Sequence, residues 1–309
     1  MSSQEEDEEL GIKPGAIIDS AKQKYTVINM LGEGGFGAVY KVHQSDDRTR
    51  EFAMKIAILK LVGAKRAEKS HFTRIVDRGK KPAYFFLVMQ LVGKSLADLK
   101  AARPDKVLSI GTGLGVASQC LEAVEDLHQH WFIHRDLKPA NFACGLDAQK
   151  HVIYILDFGI ARRLTNAENE LKTPRAVVGF KGTVRFASLC CHSGLEMSKK
   201  DDCESWFYLL MDLVQIGLPW RKMSDKNDVK GYKEDCRKEG TRKDELYANT
   251  PKCRKELAGI LDYIDGLQYH DTPDYSFIYA SLKEAGAKCG VKNIDGPFDW
   301  ELEPPSSSK

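Results

Sequence analysis

Asp136 and Asn141 stand five residues apart in His134-Arg135-Asp136-Leu137-Lys138-Pro139-Ala140-Asn141. Those two residue types suit two halves of one reaction. A carboxylate can orient an attacking hydroxyl and accept its proton. An amide oxygen is a hard donor of the kind Mg²⁺ takes. Lys138, between them, can neutralise charge on a phosphoryl group in transfer. Asp157-Phe158-Gly159 follows the apolar run Val152 to Leu156. A carboxylate ending a buried strand is costly unless a cation meets it, so Asp157 is a second candidate metal ligand.

Two more signals precede these. Leu31-Gly32-Glu33-Gly34-Gly35-Phe36-Gly37-Ala38-Val39-Tyr40 places glycines at 32, 34 and 37 between strand-like runs. In such a hairpin the backbone amides can approach phosphate oxygens with no Cβ in the way. A dinucleotide fingerprint would need a helix to start here, whereas residues 37–42 read as strand. Taken alone, a plain hairpin explains the glycines equally well. Lys55 ends Phe52-Ala53-Met54-Lys55, where a point charge can reach nucleotide phosphates. Alone, it is an ordinary strand-end lysine.

The elements that must hold these residues change character along the chain. Tyr25 to Leu31, Gly37 to Val42, Arg50 to Ile56 and Ala83 to Gln90 are short β-branched or aromatic runs divided by Gly, Asp and Lys. Beyond residue 95, Ile110, Leu114, Ala117, Leu121, Val124 and Leu127 fall on one helical stripe that leads into the Asp136 loop. Helices are also predicted over Lys200 to Ile216, stopped by Gly217 and Pro219, and over Lys255 to Asp265 and Asp274 to Ala285. The fold class is therefore α+β, with a small β-rich part and a larger helical part. Trp131, Trp206, Trp220 and Trp300 are expected to pack inside.

Composition narrows the function classes. The chain has 309 residues, 42% hydrophobic and 29% charged, which is ordinary globular material. Lys+Arg less Asp+Glu is 46 − 44 = +2, which calls for neither nucleic acid nor membrane. The longest apolar run, Ala83 to Met89, is far short of the roughly 20 residues that a membrane helix needs. The acidic, polar start is unlike a secretory signal. Eight cysteines without a C-x-x-C pair read as reduced thiols. The default compartment is the cytoplasm, with the nucleus open.

In this order the four motifs are those of the eukaryotic protein kinases, and the chain resembles a bilobal kinase domain over residues 19–303. The resemblance implies an N-lobe to about residue 92 and a C-lobe from about 93, between tails 1–18 and 304–309. It is similar to the casein kinase I group, with Gly182-Thr183-Val184-Arg185-Phe186-Ala187-Ser188-Leu189 where most kinases have Ala-Pro-Glu. Within that group it most resembles the tau-tubulin kinase branch, through Val88-Met89-Gln90-Leu91, Ser95-Leu96-Ala97-Asp98-Leu99, Pro174-Arg175-Ala176-Val177, Leu218-Pro219-Trp220-Arg221 and Pro297-Phe298-Asp299-Trp300-Glu301.

The resemblance implies ATP and Mg²⁺ as cofactors and serine or threonine hydroxyls of proteins as acceptors, Lys138 being placed as in serine/threonine kinases. It gives Asp136, Lys138 and Lys55 catalytic roles. Leu31, Gly32, Gly34, Gly37, Val39, Ala53, Lys55, Met89, Gln90 and Val92 would bind the nucleotide, and Asn141 and Asp157 the metal. Asp202 would brace the catalytic loop. Arg175, Lys181 and Arg185 lie in a basic stretch suited to acidic or already phosphorylated substrates.

One departure stands out. Kinases pair the strand lysine with a glutamate on the following helix. Here the only acids between Lys55 and Tyr84 are Glu68 and Asp77. Against the family pattern roughly ten residues are missing after Lys55, and the remnant Ala57 to Val62 would form under two turns, a marginal helix. The alternative function is thus a nucleotide-binding pseudokinase or scaffold.

Overall fold

The computed structural model describes residues 12–34, 37–57, 71–82 and 84–302. The remnant helix after Lys55, and Glu68 with it, lie outside the described residues. These form two compact units, one up to residue 93 with 145–147, the other of 94–144 and 148 onward.

The first unit is a six-stranded antiparallel sheet. Its strands are β1 (Ile17–Asp19), β2 (Lys24–Gly34), β3 (Gly37–Gln44), β4 (Asp47–Ala57), β5 (Ile75–Lys80) and β6 (Phe85–Gln90), in the order β1-β2-β3-β4-β6-β5. Side chains alternate between faces. One face sends Tyr25, Val27, Tyr40, Val42, Phe52, Met54, Ile56, Phe86 and Val88 into a single core. Asp77 is the third residue of β5. It sits inside β5 opposite Val88, buried on the core side, and accepts hydrogen bonds from Ser20 and Tyr25. Lys55 pairs with Leu87, one residue out of phase with Val88, and so occupies the opposite face. Asp77 therefore cannot serve Lys55.

The second unit is helical. In chain order it contains α1 (Leu96–Ala102), α2 (Ile110–Gln129), α3 (Leu189–His192), α4 (Lys199–Leu213), α5 (Lys226–Asp235), α6 (Thr241–Leu246), α7 (Arg254–Gly266), α8 (Tyr275–Lys288) and α9 (Asp299–Leu302). Two short two-stranded sheets accompany them: β7 (Phe132–Ile133) pairs with β10 (Arg162–Arg163), and β8 (Phe142–Cys144) with β9 (Ile153–Ile155). Leu114, Ala117, Leu121, Val124 and Leu127 are buried as their spacing requires, but Val116, Cys120 and Ala123 are buried too. Helix α2 is enclosed on more than one side. At Gly113 and Gly115 a Cβ would collide with the Val214 side chain and the Ile294 carbonyl, so glycine lets neighbours close in.

The start of α2 is held from far along the chain. Ser109 caps it, its Oγ accepting from the Thr112 amide at 3.2 Å. The Asp299 carboxylate accepts from the Ser109 amide (2.8 Å), the Ser109 hydroxyl (2.6 Å) and the Thr112 hydroxyl (2.9 Å). A negative charge there also suits the positive end of the helix dipole.

Helix α4 stops at Leu213, short of the expected Ile216. The Leu213 carbonyl accepts from the Leu108 amide at 3.0 Å, which takes the group a continuing helix would use. Trp206 and Trp220 are buried, whereas Trp131 is 40% exposed, its ring lying under the Lys199 ammonium at 4.3 Å. Among the described residues, no helix is long and apolar enough to cross a membrane.

Candidate active site

On the sheet, strand register decides which candidate nucleotide residues meet. Since Tyr40, Met54 and Val88 point into the core, the other face carries Val39, Ala53, Lys55 and Met89. Val39 stands directly across from Lys55, and Ala53 directly across from Met89. Gly32 pairs with Val39 and Gly34 with Gly37, which puts these glycines at the same end of the β2–β3 ladder as Val39. Leu31 falls at a register shift and is half exposed. Met89 Sδ accepts from the Thr73 hydroxyl at 3.6 Å. Gln90 ends β6 with its amide donating to the Arg74 carbonyl at 2.8 Å, and Val92 follows in the irregular segment leaving the sheet.

In the helical unit, the loop after β7 is built around a buried carboxylate. Asp202, on α4, accepts from the amides of His134 (2.6 Å) and Arg135 (2.9 Å) and from His128 Nε2 (3.0 Å). Burial alone would raise the Asp202 carboxyl, but the bond and charge of His128 and the approach of His134 hold it below the usual range. Burial pushes the His128 imidazole down. The two groups stay paired at the bottom of the loop, and the Tyr275 hydroxyl lies 2.6 Å from His128 Nδ1 on the other side of the ring. Arg135 is fixed in the left-handed region at φ 71°, a conformation that costs a non-glycine residue energy and that the Asp202 bonds offset.

This turn sets Asp136 among three side chains. The Thr183 hydroxyl donates to Asp136 Oδ1 at 2.7 Å, Lys138 Nζ meets Asp136 Oδ2 at 2.9 Å, and Asn141 Nδ2 reaches Oδ2 at 3.2 Å and the Asp136 carbonyl at 2.8 Å. Lys138 Nζ also donates to the Thr183 hydroxyl at 2.9 Å, which closes the ring of contacts. Gly182, at φ +84°, lies so close to the Arg135 carbonyl that a Cβ would collide with it. Thr183 escaped the sequence reading as a site residue. Its signal was the preceding glycine, which marks a close backbone approach.

Asn141 and Asp157 come together through the β8–β9 hairpin. Phe142 pairs with Ile155, and the Leu156 amide donates to the Asn141 carbonyl at 2.8 Å, so both lie at the same end of that ladder. Asp157 has φ 58°, with its Oδ1 accepting from the Gly159 amide at 3.1 Å. His134 Nε2 donates to the Leu156 carbonyl at 2.9 Å and its ring stacks edge-on against Phe158 at 5.3 Å, which joins this end to the Asp136 loop. Among the described residues, no group of three His, Cys, Asp or Glu could hold a metal alone. The donor set nonetheless fits magnesium, which is commonly held by one or two protein oxygens with phosphate and water completing the shell. With Nδ2 committed to Asp136, Asn141 presents Oδ1 as its donor.

The three residues expected to dock anions do not form one cluster. Arg175 and Lys181 line a cavity of about 70 Å³ with Arg135 and Glu196. Arg175 is engaged by the buried Glu196 at 2.5 and 3.2 Å, and Arg162 approaches the same carboxylate at 3.4 Å. Glu196 stays below the usual carboxylate range despite its burial, because these guanidinium groups stabilise its charge. Glu196 is the single acid between Glu170 and Asp201, a faint signal in an otherwise basic stretch. Arg185 turns elsewhere, donating to the Arg221 carbonyl at 3.1 Å.

Residues 25–267 match the model of the protein kinase domain. The chain belongs to the protein kinase family. Its relatives include a probable serine/threonine-protein kinase of Dictyostelium discoideum, 30% identical over 312 residues, which cover 95% of this chain and 59% of that protein. The serine/threonine-protein kinase spe-6 of Caenorhabditis elegans is 33% identical over 304 residues, 93% of this chain and 78% of the relative. A putative casein kinase I of the same nematode is 30% identical over 312 residues, 94% and 86% of the two chains. This chain thus spans under two thirds of the Dictyostelium protein. The β-rich first unit and helical second unit are those of the bilobal kinase fold.

Proposed function

We propose that this kinase-family chain transfers the γ-phosphate of ATP to serine or threonine hydroxyls of protein substrates, and that it is a casein kinase I-group member of the tau-tubulin kinase branch with its kinase domain over 19–303. The observation that carries the reading is the ring of contacts joining Asp136, Lys138, Asn141 and Thr183 above the Asp202 brace. Asp136 is held with Oδ1 and Oδ2 oriented, ready to align a hydroxyl and take its proton as the new bond forms. Lys138 offsets charge on the transferred group. Asn141 and Asp157 would hold Mg²⁺, which would supply positive charge to offset that on the phosphate groups. Lys55 would grip the phosphates from the sheet face it shares with Val39, Ala53 and Met89, where the adenine would lie. The basic residues Lys181 and Arg185 favour acidic or phosphorylated substrates.

The nucleotide-binding scaffold remains the second reading, because Glu68 is the one acid left between Lys55 and Tyr84 once Asp77 is placed on the far face of the sheet. The test is transfer of labelled γ-phosphate from Mg-ATP to casein and an acidic serine peptide, beside Asp157→Ala. Label above that control supports the enzyme. No label, with Mg-ATP still raising the melting temperature, would leave the scaffold.

A further inference from the structure

Lys233 on α5 is fully buried, and the chemistry above leaves it unused. Its Nζ donates to the carbonyls of Ala187 (2.6 Å) and Val184 (3.1 Å) and meets His192 Nε2 at 3.2 Å. The rings of Tyr208 and Trp220 cover it at 4.7 and 5.4 Å. Trp220 Nε1 in turn donates to the Arg185 carbonyl at 2.8 Å. Three carbonyls of one irregular loop, those of Val184, Arg185 and Ala187, are therefore held by side chains from elsewhere in the fold. The same loop begins at Thr183, which is bonded to Asp136 and Lys138.

Burying an ammonium is costly, and an apolar residue of similar length would fill the same space more cheaply. An apolar residue could not bind two loop carbonyls 49 and 46 residues away in sequence. Burial pushes the Lys233 amine down to about 7, with Glu204 opposing and Arg237 adding to the effect, and Cys191 and Cys236 close by. Besides the charge of Glu204, the partners that favour it are the loop carbonyls and the two aromatic faces.

We propose that Lys233 is a positioning residue for the protein substrate. It sets the path of residues 184–187 beside Asp136, so that substrate affinity depends on it while nucleotide use does not. This rests on the kinase reading above. A substrate whose hydroxyl reaches Asp136 must lay its neighbouring residues along this loop, because Thr183 ties the loop to that carboxylate.

The test compares wild type with Lys233→Met in steady-state transfer to an acidic serine peptide. The expected result is a KM for peptide raised about tenfold, the loss of one charged hydrogen bond's worth of alignment, with KM for ATP and peptide-independent ATP hydrolysis within about twofold of wild type. Amide hydrogen exchange should quicken over residues 183–188 and stay unchanged along α2. An unchanged peptide KM with a working wild type overturns the role of Lys233 alone. No transfer by the wild type overturns the kinase reading and the substrate role together. Should the Met variant fail to fold, Lys233→Gln, with its donor on a shorter stem, carries the same expectation. Acylation of wild-type amines followed by mass spectrometry should leave Lys233 unmodified while exposed Lys222 and Lys226 react. Equal reaction rates would overturn the proposal whatever the variants do.

Discussion

Thr183→Val replaces a hydroxyl with a methyl of nearly the same shape and removes two bonds at once. One is donated to Asp136 Oδ1 at 2.7 Å and the other accepted from Lys138 at 2.9 Å. Charge-assisted bonds of this kind contribute about 1.5–3 kcal/mol each. Thr183, Asp136 and Lys138 are only partly buried, so water will replace part of that, and about 3 kcal/mol of lost alignment is a reasonable sum. At about 1.4 kcal/mol per tenfold this is a fall of roughly a hundredfold in kcat. Thr183→Ser keeps the hydroxyl and should stay within about threefold of wild type on the same scale. The assay is initial-rate transfer from Mg-ATP to casein, with circular dichroism to confirm that both variants fold. A valine variant as fast as the serine variant would refute the claim that this hydroxyl aligns the base and the lysine.

Asp202→Ala strips three donors of their acceptor, two of them backbone amides, and should destabilise the chain by about 3–6 kcal/mol. Thermal unfolding would show this as a Tm lowered by about 2 °C per kcal/mol in a chain of this size. Gly182→Ala forces a Cβ against the Arg135 carbonyl at φ +84°, so transfer activity should fall by more than tenfold, about 1.4 kcal/mol, and strain of about 1–3 kcal/mol should lower the unfolding midpoint as well. Lys233 should make stability pH-dependent. Its folded pKa lies near 7 and below the unfolded value, so the unfolded chain binds more protons above pH 7 and stability rises with pH there, by up to about 1.4 kcal/mol per unit. Urea midpoints at pH 7 and 8.5 should rise in wild type relative to Lys233→Met, and parallel behaviour of the two would contradict that assignment.

Local pattern carried the elements well. The β-branched and aromatic runs marked β3 and β4 as strands, while the face that presents Val39, Ala53 and Lys55 came from the strand register. The stripe on α2 located the loop that follows it. What pattern could not carry was partnership across the chain. The residues around Asp77 do not tell which face of the sheet it takes, and Ser20 and Tyr25, more than fifty residues earlier, hold it on the core side. Trp131 is large and apolar, yet Lys199 gives its ring a surface role. Thr183, Glu196 and Lys233 each act through a partner 21 to 49 residues distant, a separation at which periodicity has no information. The end of α4 was misjudged for a similar reason, since a carbonyl captured by Leu108 leaves no trace in the helix's own residues.

The cap on α2 has a consequence for synthesis. The helix that delivers the chain into the Asp136 loop has its first turn completed by Asp299, 190 residues after Ser109. While the chain is being made, α2 emerges early with three donors at its start still turned to solvent. They gain their carboxylate only when almost the whole helical unit has left the ribosome. A chain lacking Asp299 would thus carry its Asp136 loop on an unfinished helix, which couples completion of α2 to the making of a segment far along the unit.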